Sequence, residues 1–156
     1  MGIVLGDRSK DLYWMGMALN QASLAASNGE VPVGAILVAN EQCVAQSFNS
    51  PIAKCDPTAH AEILVLREAA VELANYRLPN TTVYVTLEPC CMCFGAMLHA
   101  RVKRCVYAAS DPKTGVVGTC DRLHESSWTQ HQMEVVQGPL AQESSRLLKQ
   151  FFKQRR

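Results

Sequence analysis

Thr-Ala-His-Ala-Glu at positions 58–62 and Leu-Glu-Pro-Cys-Cys-Met-Cys at positions 87–93 are the two stretches that organise this sequence. Together they supply one imidazole, His60, and two thiols three residues apart, Cys90 and Cys93. Zinc binds nitrogen and sulfur ligands readily, and a catalytic zinc keeps its fourth position open for water. These residues therefore predict one Zn²⁺ per chain, and Glu62 is predicted to be the catalytic carboxylate that moves protons beside it.

The predicted helices explain why these residues suit zinc. His60 is placed in the first turn of one helix, and both cysteines are placed in the first turn of another, where unpaired N–H groups and the helix dipole favour thiolates. Residues three apart on a helix are neighbours, so Cys90 and Cys93 can bind one ion. Glu62 projects at a different angle from His60, which suits a proton carrier better than a fourth ligand.

A structural zinc is the alternative for the same residues. Such sites are closed by four Cys or His ligands, and Cys91 and His99 are available as a fourth ligand. Taken alone, His60 would be a core histidine and Glu62 a solvated helix residue. Their spacing to the Pro-Cys-x-x-Cys element makes that coincidence improbable.

Length and composition favour one compact domain over residues 1–156. The chain has 156 residues, and 48% of them are hydrophobic, which is enough for a sizeable core. Its net charge of +1 gives no overall positive potential that would indicate nucleic-acid binding. No signal segment and no apolar run near 18 residues is recognisable, so neither secretion nor a membrane partner is expected. Seven cysteines, three of them within four positions, suit metal binding in a reducing cytoplasm better than a disulfide framework.

Strands alternate with helices along the chain. Apolar spacing predicts a first helix over residues 10–27, a second from 56–57, a third carrying the cysteines, and a last one from 138–139. The predicted core face of the first helix comprises Leu12, Met15, Leu19, Ala22 and Ala26. Five strands are predicted at 33–39, 43–47, 83–87, 102–108 and 133–136. This alternation indicates an α/β fold with a central sheet covered on both faces.

The order His-x-Glu followed by Pro-Cys-x-x-Cys is the signature of zinc-dependent base deaminases. The chain resembles the bacterial tRNA-specific adenosine deaminases of the cytidine-deaminase-like superfamily almost end to end. The matching segments lie at 30–35, 56–62, 84–90, 95–97, 111–115 and 151–152. Asp-Pro-Lys-Thr-Gly at 111–115 and the Phe-Phe-basic ending favour the tRNA branch over the rest of the superfamily.

The resemblance implies a three-layer αβα sandwich with a central five-stranded mixed sheet, assembled as a homodimer with RNA near its interface. It implies hydrolytic deamination of adenosine to inosine at the wobble position, in the anticodon stem-loop of a tRNA. A zinc-activated hydroxide is expected to attack the adenine, with Glu62 shuttling the protons.

Further candidates follow from the same resemblance. Asn49 matches an asparagine that hydrogen-bonds the extruded base, and Asp111 matches a residue lining the nucleotide pocket, although both residue types also form ordinary turns. Phe152 is a candidate for stacking on a base. The last eleven residues hold five cations and no acid, which suits an RNA backbone but is also favourable at any helix C-terminus. Those assigned to RNA are Lys149, Lys153, Arg155 and Arg156.

Three departures from the family pattern affect substrate contacts or the site. Residues 126–130 replace a common Pro-Gly-Met-Asn stretch, Ser110 stands where some members carry arginine, and Cys91 is an extra thiol beside a ligand. A small-molecule deaminase acting on guanine, cytosine or a nucleotide would need the same zinc site and stays an alternative. A catalytically inactive RNA-binding subunit is disfavoured because it would have no use for Glu62.

Overall fold

The computed structural model describes residues 2–155, with side chains from residue 8 onward. Five strands form one sheet in the order β2-β1-β3-β4-β5. The strands are β1 (Gly34–Ala39), β2 (Gln42–Phe48), β3 (Thr81–Leu87), β4 (Arg104–Ala109) and β5 (Glu134–Gln137). The helices are α1 (Gly2–Ser27), α2 (Pro51–Lys54), α3 (Ala61–Glu72), α4 (Cys91–His99) and α5 (Ala141–Lys153), and a short 3₁₀ turn covers Leu123–Glu125.

The sheet is mixed, as predicted. β1 pairs antiparallel with β2 and β3, whereas β3, β4 and β5 run parallel to one another. A two-residue turn joins β1 to β2, and both of its residues, Asn40 and Glu41, have positive φ angles of 50° and 59°. This is the backbone geometry that matches the twist of a hairpin.

Alternating side chains of the strands fill two cores, one on each face of the sheet. Helices α1 and α5 cover one face, where Ile36, Tyr84 and Val106 pack against α1. Helices α3 and α4 cover the other face, where Leu37 and Val85 lie in a larger cluster that includes residues of both helices. The predicted three-layer αβα sandwich is therefore confirmed.

Several predicted boundaries differ from the structure. The second predicted helix begins at Ala61 and not at 56–57, because the Asp56 side chain accepts hydrogen bonds from Thr58 and folds the segment into a turn. Helix α2, which was not predicted, precedes that turn. The last helix begins at Ala141, since the Gly138 N–H still donates to the Tyr107 carbonyl at 2.8 Å as an extension of the sheet.

The core face of α1 also differs from the predicted stripe. Met15 and Ala22 are buried as expected, but Leu12 is 51% exposed, and Leu19 and Ala26 are only partly buried. The helix instead buries Ala18 and Ala25, whose small side chains let it approach the sheet closely. At Gly34, for example, an added Cβ would lie 2.1 Å from the Ala18 carbonyl oxygen. None of the helices within residues 2–155 combines the length and apolar composition that a membrane span requires.

A buried ion pair fastens α1 to the sheet. The Asp11 carboxylate accepts hydrogen bonds of 2.8 Å from both terminal nitrogens of Arg104 and from the Tyr84 hydroxyl. Burial alone would raise the pKa of Asp11, but the hydrogen bonds from Arg104 and Tyr84 outweigh it and hold the pKa below its ordinary value of 3.8. The charged form is therefore the one that stabilises the fold.

Asp11→Asn is expected to lower the free energy of unfolding at pH 7 by about 1–3 kcal/mol, because it weakens hydrogen bonds to a charged group. A lowered folded pKa contributes stability that is complete above the unfolded pKa and is lost as the pH falls through the folded pKa. The difference between wild type and variant should therefore shrink below about pH 4 in urea titrations. As a control, Glu134→Gln removes a 60% exposed partner of Arg104 and should change little. A pH-independent difference would contradict this account.

Candidate zinc site

The three predicted ligands converge where two helices begin beside the end of β3. His60 is the N-cap residue of α3, and Cys90 is the N-cap residue of α4. Cys93 lies in the first turn of α4 and is fully buried. The predicted placement in a first helical turn is confirmed for Cys93, whereas His60 and Cys90 are N-cap residues, one position before the first turn.

The distances among the ligand atoms fit a tetrahedral zinc. His60 Nδ1 lies 3.7 Å from Cys90 Sγ and 3.5 Å from Cys93 Sγ. With Zn–N near 2.0–2.1 Å and Zn–S near 2.3 Å, a tetrahedral N–Zn–S angle separates the two ligand atoms by about 3.6 Å. The three side chains are thus already spaced as zinc ligands, with His60 presenting its Nδ1 atom.

The ligand set is open on one side. Within the described residues, the group of potential ligands comprises His60, Cys90 and Cys93, and no fourth Cys, His, Asp or Glu joins it. Cys91 is exposed, and His99 is at the opposite end of α4. This pattern is that of a catalytic zinc and not of a closed structural one.

Glu62 is buried next to this group without being part of it. Only 4% of the residue is exposed, and its Oε2 atom has no hydrogen-bond partner among the described residues. Burial raises the pKa of Glu62 to about 7. A buried carboxyl oxygen without a partner is costly, so the site is arranged for a group outside the chain, such as water or a substrate. A pKa near neutrality suits a residue that both accepts and donates protons.

One of the two thiols, that of Cys90, is placed to ionise. A hydrogen bond from the Cys93 thiol lowers the pKa of Cys90 to about 4, and the neighbouring His60 adds to this effect. In the same pair the pKa of Cys93 is raised by its hydrogen bond to Cys90. Thiolates are the form that binds zinc, so a bound ion would displace the proton that the two sulfurs share.

Asn49 belongs to a segment that is hydrogen-bonded to the chain immediately before His60. Its N–H donates to the Val33 carbonyl at 3.0 Å, and the next residue, Ser50, donates to the carbonyl of Ala59, which precedes His60. The residue is buried, yet its side-chain amide makes no hydrogen bond within the part of the chain that the structure describes. The amide is therefore free to bind a ligand.

The Asp111 carboxylate is used within its own turn. Its Oδ1 atom accepts from the N–H groups of Lys113 and Thr114, and its Oδ2 atom accepts from the Thr114 hydroxyl at 2.7 Å. The side chain thus shapes the loop, which is the turn-forming alternative considered for this residue.

The C-terminal candidates are spread over the end of α5. Phe151 is buried, whereas Phe152 is 48% exposed and packs edge-on against it. Lys149 and Lys153 are exposed on the helix. The Arg155 guanidinium lies 4.1 Å above the centre of the Phe151 ring, so this cation also covers the core. Arg156 lies outside the described residues.

Besides Asp11, two buried acidic residues received no role from the sequence. The Glu30 carboxylate accepts hydrogen bonds from the N–H groups of Ile52 and Ala53 and so supports α2, next to Asn49. The Glu88 carboxylate is buried immediately after β3. Each of these acids lies at the edge of an apolar segment, and a proline follows within two residues. This placement is the only local signal in the sequence that could have indicated a buried, structural role for them.

Comparisons with known proteins agree with this geometry. Residues 8–109 match the family model described as the cytidine and deoxycytidylate deaminase zinc-binding region. A tRNA-specific adenosine deaminase of Haemophilus influenzae is 48% identical over 147 residues, which cover 94% of this chain and 85% of that protein. The Bacillus subtilis protein of the same description is 42% identical over 148 residues, covering 95% and 92%.

A solved structure is also similar. It comes from a study of A-to-I editing by tRNA:A34 deaminases at the wobble position of transfer RNA. It is 41% identical, has a TM-score of 0.85, and the match covers 88% of this chain and 99% of that one. The described fold, the three ligands and these similarities agree: the chain belongs to the zinc-dependent cytidine and deoxycytidylate deaminase family and, within it, to the tRNA-specific adenosine deaminases.

Proposed function

We propose that this protein hydrolyses adenosine to inosine at the wobble position of a tRNA anticodon stem-loop. The observation that supports this most is an open His60–Cys90–Cys93 site with Glu62 buried beside it, in a chain 48% identical to a tRNA-specific adenosine deaminase. An anticodon loop is already partly single-stranded, so extruding its base costs less than it would in a duplex.

The chain's own residues account for the proton movements. A zinc ion held by the three ligands supplies a Lewis acid that makes water nucleophilic at neutral pH. The Glu62 carboxylate takes the proton of the water that adds to C6 of the adenine and passes it to the ring nitrogen. Glu62 then takes the proton of the hydroxyl that is now attached to C6 and delivers it to the departing amine, so that adenosine and water become inosine and ammonia. Because Glu62 is buried, its charged form is disfavoured, and the carboxyl can hold the proton that it takes from water before passing it on.

The side-chain amide of Asn49 orients the base in this proposal. A side-chain amide offers a donor and an acceptor together, which matches the edge of an adenine. Its backbone is held through Val33 and Ser50, so the amide meets the base from a fixed position. Glu30 supports the same segment through α2.

A substrate comparison tests this proposal. Inosine formation should be measured with an unmodified anticodon stem-loop, with adenosine, and with free guanine and cytosine. We expect turnover of the stem-loop to exceed that of every small molecule, because binding energy from the RNA positions the base. Faster turnover of guanine or cytosine would overturn the tRNA assignment and favour the small-molecule deaminase, with the zinc chemistry unchanged.

The exposed lysines of α5 are proposed to contact the RNA backbone, with Phe152 available for a base to stack on. Arg155 and Arg156 belong to the same basic end of the chain. Because Arg155 also covers Phe151, deleting the tail would disturb the core as well as remove charge. Substituting Lys149 and Lys153 isolates the electrostatic contribution.

The double variant Lys149→Gln/Lys153→Gln is expected to weaken stem-loop binding and to flatten its salt dependence. Each lost phosphate contact reduces the slope of log affinity against log salt by about 0.7, so two contacts reduce it by up to about 1.4. Binding should be measured by fluorescence anisotropy at several salt concentrations. The matched control is Arg8→Gln/Lys103→Gln, which removes two exposed cations elsewhere. Equal slopes for the two double variants would contradict the assignment.

We further propose that residues 1–156 form one domain that assembles as a homodimer in the cytoplasm. Exposed apolar side chains near the end of α3, among them Val71 and Tyr76, offer surface for a second copy. All seven cysteines are free thiols, and a reducing compartment keeps the two zinc ligands available. Light scattering at micromolar concentration tests the dimer, and a mass of 17.1 kDa in solution would exclude it.

A further inference from the structure

The Glu88 carboxylate lies beneath a loop formed by residues 111–119, which we name the 111–119 loop. Only 2% of Glu88 is exposed. Its Oε2 atom accepts hydrogen bonds from the N–H of Asp111 at 2.9 Å and from the Thr119 hydroxyl. Its Oε1 atom accepts from the N–H groups of Val117 at 3.2 Å and Thr119 at 2.9 Å. One side chain therefore binds both ends of the loop.

All four donors belong to the 111–119 loop. A charged group is buried only where it is paired or hydrogen-bonded, and backbone N–H groups are strong partners for a carboxylate. Within the described residues, Glu88 makes no side-chain hydrogen bond to the sheet or to a helix. These hydrogen bonds therefore stabilise the conformation of the loop and not the packing of the central core.

The loop is shaped to pass directly over this carboxylate. A Cβ built on Gly115 would lie 2.4 Å from both Cδ and Oε2 of Glu88, so only glycine fits there. The next residue, Val116, donates its N–H to the carbonyl of Pro89 at 3.1 Å. Since Pro89 precedes the ligand Cys90, the loop is attached to the segment that leads into the zinc site.

We propose that Glu88 is a positioning residue that holds the 111–119 loop in place beside the zinc site, so that the RNA meets a preformed surface. This rests on the proposed function. Because the Asp111 carboxylate is used within its own turn, the loop presents the exposed Lys113 and Thr114 to the outside. A loop that is ordered before binding does not have to be ordered by the substrate, which strengthens binding.

Glu88→Gln tests this role at the level of single hydrogen bonds. The amide oxygen has to occupy the Oε1 position, because two backbone N–H groups, of Val117 and Thr119, point at it. The amide NH₂ then faces the Asp111 N–H, and two donors repel each other, whereas the Thr119 hydroxyl can still accept. The substitution should therefore release the Asp111 end of the loop and leave the other end attached.

We expect Glu88→Gln to raise KM for the anticodon stem-loop about tenfold or more, with kcat within about threefold of wild type and one zinc per chain retained. If the substrate has to order the loop, the binding of the ground state and of the transition state is weakened equally. The loss of affinity therefore raises KM and leaves kcat nearly unchanged. Asp11→Asn is the matched control, because it neutralises a buried carboxylate in the ion pair between α1 and the sheet. It should lower stability while KM stays at the wild-type value.

A second variant leaves Glu88 intact. Gly115→Ala pushes the loop away from the carboxylate and should raise KM in the same way, whereas Gly16→Ala, where a Cβ meets nothing within 4 Å, should not. Should Glu88→Gln not fold, this second pair decides the proposal.

Three results would overturn the role of Glu88. They are a wild-type KM in Glu88→Gln, a wild-type KM in Gly115→Ala, and a fall in kcat accompanied by loss of zinc, which would make Glu88 a support of the metal site. Wild-type protein that deaminates guanine and not the stem-loop would refute the proposed function instead. The same KM comparison on guanine would then still test the loop.

Discussion

Replacing Glu62 by glutamine is expected to reduce kcat on the anticodon stem-loop by at least about 10²–10⁴-fold, because a single carboxylate carries every proton transfer of the proposed reaction. The amide has nearly the same shape and cannot accept a proton from water. Zinc content should remain one per chain, since Glu62 is not among the ligand atoms that converge.

Glu62→Gln is also expected to leave the thermal stability of the protein unchanged or to raise it. Glu62 is buried, and its Oε2 atom has no hydrogen-bond partner in the part of the chain that the structure covers, so burial makes the charged form costly. A neutral amide removes that cost, and the Tm of Glu62→Gln should equal or exceed that of wild type. The matched control is Glu72→Gln, at the exposed end of the same helix, which should change neither kcat nor Tm. Activity of Glu62→Gln within a few-fold of wild type would refute the proton-carrier role.

Removing one thiolate ligand is the second change that is expected to have a large effect. Cys90→Ala or Cys93→Ala should reduce zinc from one equivalent to near zero and lower deamination to background, because two remaining ligands do not hold the ion. At zinc concentrations about a thousandfold above its Kd, binding contributes about 4 kcal/mol to folding stability, so Tm should fall by roughly 10 °C. Elemental analysis and thermal unfolding measure both effects.

Cys91→Ala is the matched control for these variants. Cys91 stands next to a ligand but is exposed and is not part of the ligand group. Its replacement should keep zinc, Tm and activity. If Cys91→Ala lost zinc while Cys90→Ala kept it, the assignment of ligands would be wrong, and two zinc equivalents in wild type would exclude a single open site.

The residues of the candidate zinc site could be predicted to converge because their spacing is encoded locally. Cys90 and Cys93 are three residues apart, and a helix brings such residues together whatever surrounds it. His60 and Glu62 are equally close in sequence. The sheet and its helices could be predicted for a similar reason, since alternating apolar segments have few ways to bury their faces.

The ends of helices and strands were predicted less well, because side chains compete with the backbone for hydrogen bonds there. Asp56 looked like the cap of a helix that begins at Pro57, but its carboxylate binds Thr58 instead and delays the helix to Ala61. Leu12 fitted the apolar stripe of α1, yet the sheet lies against Met15 and Ala18. Which residues of an amphipathic stripe become buried depends on what packs against them, and the stripe does not contain that information.

The sequence by itself determined the donor set of the zinc site, the carboxylate beside it and the layered α/β fold. Only the tertiary structure decided that, among the residues it describes, Glu62 is buried with an unpaired oxygen, the Asn49 amide makes no hydrogen bond, and Glu88 accepts hydrogen bonds from a distant loop. The physical reason is that burial and hydrogen bonding depend on distant segments. Glu88 binds donors 23 to 31 residues further along the chain, and no local pattern specifies such a contact.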